Sequence, residues 1–271
     1  MSVILNNESW QVPDYKADEI RPKRFKYCVC VFIINEGEKI RSQLRKMSGL
    51  TQAIDIIIAD GGSVDGSLDL EFLQEQNVCT LLTKIGSGKL SAQMRMAFDF
   101  ALKQGYEGVV TIDGNDKDDS KAIPKFIKAL DQGYDHIQGS RFVPGGKAVN
   151  TPISRLLGVR LLHAPLISLS SGFHYTDTTN GFRAYSRQFL LDLRVNPFRR
   201  VFDRYELHYY LAIRAAKLGF KLIELPVSRC YPESGKTPTK ISPLRGNLLI
   251  LGTLFKACMG RYNPKYSKKA E

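Results

Sequence analysis

Thr111-Ile112-Asp113-Gly114-Asn115-Asp116-Lys117-Asp118-Asp119 decides the fold: a short apolar strand, Val109 to Ile112, runs straight into four carboxylates within seven residues. Gathering carboxylates is costly, because like charges repel and desolvation opposes ionisation, unless a cation sits among them. A hard divalent cation satisfies such a cluster, and such cations commonly arrive with phosphates. The competing reading is a helix-capping turn in which Asp118, Asp119 or Ser120 caps the helix that follows. From these nine residues alone the two readings stand level.

Outward from this stretch the chain alternates strand and helix. Tyr27 to Ile34 is a continuous apolar run rich in β-branched and aromatic residues, as expected of a strand buried on both faces of a parallel sheet. Ile40, Leu44 and Met47 follow at helical spacing and stop at Gly49. A second buried strand, Ile54 to Ala59, ends in a turn from Asp60 to Ser67 (DGGSVDGS), whose glycines let the backbone approach a ligand closely. Met94, Ala97, Phe98, Ala101 and Leu102 mark a helix closed by Gly105, and Ile123, Phe126, Ile127 and Leu130 mark the helix after the acid cluster. Pro124 is tolerated there because it lies in the first turn. The pattern predicts an α/β fold with an open, mostly parallel sheet flanked by helices. Ligands in such sheets bind outside the carboxyl ends of the strands, which places Asn35-Glu36, Asp60 to Ser67 and Asp113 to Asp119 on one rim.

Composition bounds the function classes. With 271 residues and 43% hydrophobic content the chain can bury one good core. A net charge of +12 points to anionic partners: nucleic acid, nucleotide phosphates or an acidic membrane surface. The five cysteines (28, 30, 79, 230 and 258) form no CxxC pair and no even framework, so the expected setting is reduced and cytoplasmic, with no zinc site. Asn6, Asn7 and Glu8 in the first ten residues do not read as a signal peptide, and no window is long and apolar enough to cross a membrane. Gly86-Ser87-Gly88-Lys89 imitates a P-loop, but the pattern needs a glycine at Thr83. It also fails as a dinucleotide fingerprint, because Ser91 stands at the third glycine position and Leu81-Leu82 reads as a poor first strand. A helix entrance near the ligand is what remains.

The motifs together resemble the family 2 glycosyltransferases of the GT-A fold, in the branch of dolichyl-phosphate mannosyltransferase and bacterial polysaccharide enzymes. The resemblance covers Tyr27 to Lys240 and rests on Asn35-Glu36, the Asp60 to Ser67 turn, Asp113-Gly114-Asn115 in the place of a DxD element, and Gly139 to Phe142 (GSRF). Downstream it adds Asp177 to Tyr185 (DTTNGFRAY), Tyr205-Glu206-Leu207 and Glu224 to Val227 (ELPV). It implies transfer of a sugar from a UDP- or GDP-sugar with inversion at the anomeric carbon. By residue, it implies that Asp60 recognises the base, that Asn35, Glu36 and Asp65 shape the nucleoside pocket, and that Asp113 with Asn115 holds Mg²⁺ or Mn²⁺ against the diphosphate. Gly62, Ser63, Lys89 and Gly114 complete the donor-binding set. Arg141, Arg183 and Lys236 add positive charge as the diphosphate departs, where a cation stabilises charge as it develops. Asn115 replaces the family's second aspartate with a neutral, weaker oxygen ligand, so Asp116 or Asp118 is a candidate to complete the metal site, and the Lys117 ammonium a candidate to replace part of the ion.

The acceptor divides by chemistry. A sugar hydroxyl requires a carboxylate base, for which Glu206 is the candidate and Asp203 the reserve; otherwise Glu206 simply opens a helix. A polyprenyl phosphate or lipid-linked glycan brings its own anion, and Arg141, Arg183, Arg229, Lys236 and Lys240 favour it. From Lys240 to Glu271 seven Lys or Arg stand against one acid around the apolar stretch Leu248 to Phe255. That reads as a basic amphipathic tail for an anionic membrane surface, or as a helix packed on the domain. The expected organisation is an arm over 1–26, one domain over 27–240 with a nucleotide-sugar half (27–142) and an acceptor half (143–240), and a tail over 241–271. The expected location is the cytoplasmic face of the membrane, peripherally. Nucleic-acid binding leaves the acid cluster unexplained. A non-catalytic surface module and a sugar nucleotidyltransferase are the other rivals; the acidic Asn35-Glu36-Gly37-Glu38 argues against the second.

Overall fold

The computed structural model describes residues 10–233 and 245–264. Ten strands are present among them: β1 (Tyr15–Glu19), β2 (Tyr27–Ile33), β3 (Asp55–Asp60), β4 (Val78–Lys84), β5 (Gly108–Asp113), β6 (His136–Ser140), β7 (Lys147–Val149), β8 (Arg183–Ser186), β9 (Leu222–Pro226) and β10 (Ser228–Cys230). The helices are α1 (Glu38–Met47), α2 (Leu70–Glu75), α3 (Leu90–Lys103), α4 (Ile123–Asp131), α5 (Ile153–Leu157), α6 (Ala164–Ser171), α7 (Arg187–Leu191), α8 (Glu206–Lys217) and α9 (Arg245–Cys258). A slower-winding π turn, Gly158–His163, joins α5 to α6.

Eight strands form one sheet in the order β1-β4-β3-β2-β5-β8-β6-β9, and β7 pairs in parallel with β10 in a small second sheet. Within the large sheet β1 and β8 run antiparallel to their neighbours, and the remaining pairs are parallel. The sheet is therefore mixed and mostly parallel, as the alternation of elements requires. Strand β2 shows why it is buried on both faces. Cys28, Cys30 and Phe32 enter a core with α3 and α8, while Val29, Val31 and Ile33 enter the opposite core with α1 and α4. That is the period-2 alternation of a strand between two apolar layers. Helix α3 is buried at every position from Ser91 to Leu102, because it lies between the sheet and α8.

Two segments depart from the sequence reading, and the tail follows one of its two readings, a helix packed on the domain. Residues 15–19 of the expected N-terminal arm are an edge strand paired with β4, and Trp10 stacks on Phe198 at 3.8 Å between ring centroids. Leu81-Leu82, discounted as a strand, lies inside β4, completed by pairing with both β1 and β3. The expected tail begins as α9, which buries Leu254 and Ala257 in the core beside α8. Its Ser170-facing end is fixed by a hydrogen bond from the Ser170 hydroxyl to Cys258 O, 2.9 Å. Lys236 and Lys240 lie outside the described residues.

Candidate active site

Strands β2, β3 and β5 are adjacent and parallel, so the segments following them share one rim. The first two turns hold each other. Asn35, in the left-handed region at φ 47°, donates its N–H to Ser63 Oγ (2.8 Å) and accepts Val64 N–H on Oδ1 (2.8 Å). Asp60, only 2% exposed, accepts the Ser63 N–H and hydroxyl at 2.9 and 2.6 Å. Asp65 accepts Gly37 N–H on one oxygen and Ser67 N–H and Oγ on the other. Burial works to raise the Asp65 pKa, but these hydrogen bonds prevail and hold it below the ordinary carboxylate range. Asp60 and Asp65 thus organise the turns. What Asp60 offers a base is its remaining lone pairs, the Ser63 bonds being already made. The sequence reading missed Gln93 beneath this rim. Its buried amide donates to Ile33 O and Ala59 O at 2.8 and 3.2 Å, tying the ends of β2 and β3 together.

Asp113 ends β5 with its side chain 27% exposed. Gly114 packs where a Cβ would collide with Ile33, and a Cβ on Gly181 would come within 2.8 Å of Asp113 Oδ1. Glycines therefore let Asp113 sit against the loop that precedes β8. Beside it, Asn115 Oδ1 is buried without a hydrogen-bond partner. A buried, unpartnered amide oxygen two residues along the chain from a part-exposed carboxylate is of the right chemistry for a hard cation, which takes oxygen ligands of both kinds. No three acidic, histidine or cysteine side chains gather as a closed cage among the described residues. Such a site would therefore have to share its ion with ligand oxygens.

The other acids of the cluster separate. The Asp116 carboxylate is held by Ser42 Oγ at 2.8 Å and Lys46 Nζ at 2.6 Å, both on α1, so it is turned to that helix rather than added to the metal pair. Gln43 locks this arrangement, donating to Asp113 O (3.0 Å) and accepting Asp116 N–H (2.8 Å). Asp119 caps the short helical turn that follows by accepting Lys121 N–H. Asp118, expected as a cap as well, is instead fully buried and paired with Arg229. The same guanidinium reaches Asp113 Oδ2 at 3.1 Å. Burial pushes the Asp118 carboxyl up while Arg229 pulls it down. On Arg229 burial disfavours the charge, yet Asp118 and Asp113 overcome it and its pKa rises. A guanidinium keeps its proton in any protein environment, while burial outweighs Arg229 at Asp118 and leaves that carboxyl pushed up to about 6. Lys117 lies 5.0 Å above the Tyr231 ring, and burial, then Arg229, push its pKa down.

The arginines read as anion binders are mostly committed inside the protein. Arg183 is fully buried, and its three guanidinium nitrogens donate to Asn180 O, His208 O and Thr178 O at 3.0, 2.7 and 2.8 Å. It is a clamp between the loop before β8 and helix α8, which removes it from the acceptor and catalytic roles expected of it. Arg141 forms a bidentate pair with Asp177 (2.6 and 3.0 Å) and also donates to Thr179. Its charge is satisfied there, again against the expectation of a free catalytic cation. Glu206 opens α8, 8% exposed, with Oε2 accepting Arg204 N–H at 2.7 Å. Asp203 O and Arg204 O accept the N–H groups of Lys89 and Ser91, and a Cβ on Gly88 would meet Asp203 Oδ1. The GSGK entrance of α3, including the exposed Lys89, thus carries the acceptor-side loop on its N-terminus.

Residues 28–194 match the model of glycosyl transferase family 2. The chain is similar to a polyprenol monophosphomannose synthase of Mycolicibacterium smegmatis, 27% identical over 83% of this chain and 85% of that protein. An undecaprenyl-phosphate mannosyltransferase of Micrococcus luteus is 26% identical over 75% and 83%. In fold it is similar to glucosyl-3-phosphoglycerate synthase of Mycobacterium tuberculosis, a structure holding Mn²⁺, UDP-glucose and phosphoglyceric acid, with a TM-score of 0.60, 15% identity and coverage of 88% and 80%. A match across more than half of the chain, on a rim built from the matched turns, settles membership: the chain belongs to glycosyl transferase family 2 and is a nucleotide-sugar-dependent glycosyltransferase.

Proposed function

We propose that this enzyme transfers a hexose from a UDP- or GDP-sugar to a polyprenyl phosphate, inverting the anomeric centre, in the building of cell-surface glycans. The observation that carries the reading is Asp113 beside the unpartnered Asn115 oxygen, on the rim shared with the Asn35, Asp60 and Asp65 turns. Asp113 and Asn115 would hold Mg²⁺ or Mn²⁺, which supplies positive charge where the departing diphosphate gains negative charge. Asn35, Asp60, Ser63 and Asp65 fix the backbone around the nucleoside. An acceptor phosphate oxygen attacks the anomeric carbon as the bond to the diphosphate breaks, and no proton needs removal, so a general base is not required. Glu206, buried and already accepting Arg204 N–H, suits a structural post better than a base. The two relatives named for polyprenol and undecaprenyl phosphate products support this acceptor class.

A lipid acceptor calls for contact with its membrane. Ile153, Leu157, Leu161 and Leu169, spaced by four, four and eight residues, are exposed along the α5, π-turn and α6 segment, and Leu248, Phe255 and Met259 are exposed on α9 and its end. Exposed apolar rows beside Arg155 and Arg160 suit a surface of anionic lipid. A cavity of about 340 Å³ between Phe142, Arg160, Ser168, His174 and Thr176 opens on the same half. The test is a panel of nucleotide-sugars with Mn²⁺ and polyprenyl phosphate in anionic vesicles. The expected product is a polyprenyl-phosphate sugar from one donor base. Transfer only to soluble sugar hydroxyls would overturn the acceptor, and full turnover in excess chelator would overturn the cation.

A further inference from the structure

The Asp118–Arg229–Asp113 bridge is not needed to explain sugar transfer. It is built from long-range parts: β10 is laid along the acid loop by Asp119 N–H to Ser228 O (3.0 Å) and Cys230 N–H to Lys117 O (2.8 Å). That pairing delivers Arg229 to both carboxylates, and it is a bridge between Asp118 and Arg229 at the level of the backbone as well. Asp118 is fully buried and its Oδ1 has no partner, while Arg229 is 9% exposed. Of the three groups only Asp113 reaches solvent to a useful extent, and it is the one read above as the cation ligand.

Electrostatics then divides the site. Asp118 anchors the guanidinium, because a buried carboxylate with an open oxygen cannot release its counter-ion cheaply. Asp113 is the weaker, outer partner, with one oxygen on Arg229 and the other beside Gly181. We propose that Arg229 is a positioning residue for the cation site: anchored by Asp118, it holds Asp113 in place and competes with the divalent ion for that carboxylate. The consequence is an enzyme that takes up its ion weakly alone and firmly together with the nucleoside diphosphate, whose oxygens supply the charge that Arg229 has cancelled. This rests on the reading of Asp113 as cation ligand.

Opposite shifts from two substitutions test it. Mn²⁺ binding to the full chain is followed by the paramagnetic resonance signal of the free ion, with and without UDP or GDP. Asp118→Asn leaves the arginine to Asp113 alone and should weaken Mn²⁺ binding about threefold. Asp118→Asn with Arg229→Met removes the competing cation without stranding a buried carboxylate, and should tighten Mn²⁺ binding about tenfold over wild type. Arg229→Lys, which keeps the charge, should lie near wild type. Shifts in the same direction, or an unchanged affinity in the double variant with an unchanged melting temperature, overturn the proposal. Should the double variant not fold, an unchanged or tighter affinity in Asp118→Asn does so by itself. A wild-type protein that binds no Mn²⁺ even with either nucleoside diphosphate overturns instead the cation reading on which this rests.

Discussion

The rim after β2, β3 and β5, expected to take the donor, and the later loops, expected to take the acceptor, are both rich in charge, yet they spend it differently. On the donor side Asp60 and Asp65 accept hydrogen bonds from residues two or three positions away, while from the neighbouring turn Gly37 N–H donates to Asp65 and Asn35 N–H to Ser63 Oγ. On the acceptor side Arg141 reaches Asp177 and Arg183 reaches His208 O, 36 and 25 residues away. Short polar side chains in tight turns satisfy the backbone they belong to, whereas a long guanidinium stem reaches whatever the fold brings near. A motif aspartate is therefore a local statement, and a motif arginine is a statement about tertiary structure.

Arg183 offers the largest break in this comparison. If it is a clamp, Arg183→Met takes a donor from Thr178 O, Asn180 O and His208 O, of which Asn180 O keeps the Gln138 amide at 3.2 Å, and should destabilise the fold by about 3 kcal/mol. Chemical denaturation measures that. An anion anchor would give the opposite pattern, with stability kept and the KM for the acceptor raised.

The same contrast explains what was legible. Hydrophobic periodicity was enough for β2, β3 and β5, for α1, α3 and α4, and for the shared rim, because burial on two faces leaves a continuous apolar run. Asp113 and Asn115 could be singled out because a strand end followed by side-chain oxygens is a local pattern, and Asp113 does end β5. Strand β1 was not: YKADE has neither alternation nor bulk, and it pairs only because β4 offers an edge. Nor could spacing show that Asp118 is buried, that Arg183 is internal, or that Arg229 meets Asp113 across 116 residues. For Gln93 and Gly181 the signal was weaker still, one of several polar residues in a helix and one small residue in a loop, each meaningful only once its neighbour is known.

Glu206 sharpens the comparison at an intermediate scale. It is a local acid on the acceptor side, accepting from Arg204 two residues back, as the donor-side aspartates do. With a phosphate acceptor, Glu206→Gln should keep the transfer rate within about tenfold of wild type, since loss of a true base costs about 10²- to 10⁴-fold. Steady-state rates at saturating donor and acceptor decide it. A drop of the larger size would return the acceptor to a sugar hydroxyl.

Asp65 carries the smallest effect and the most specific one. Against burial, the Ser67 hydroxyl and the Ser67 and Gly37 N–H groups hold its carboxyl below the ordinary aspartate value of about 3.9. A carboxylate whose folded pKa is depressed contributes stability that is present above the unfolded pKa and lost as the pH falls through the folded one. The side chain is exposed, so screening limits the contribution to about 0.5 kcal/mol. Asp65→Asn should therefore be slightly less stable than wild type at neutral pH, and the gap should close as the pH falls below the ordinary aspartate value of about 3.9 and the wild-type carboxyl protonates. Urea melts across that range measure it, and a gap that stays constant would mean that the turn is held by shape alone, without the charge-assisted bonds that distinguish the donor side.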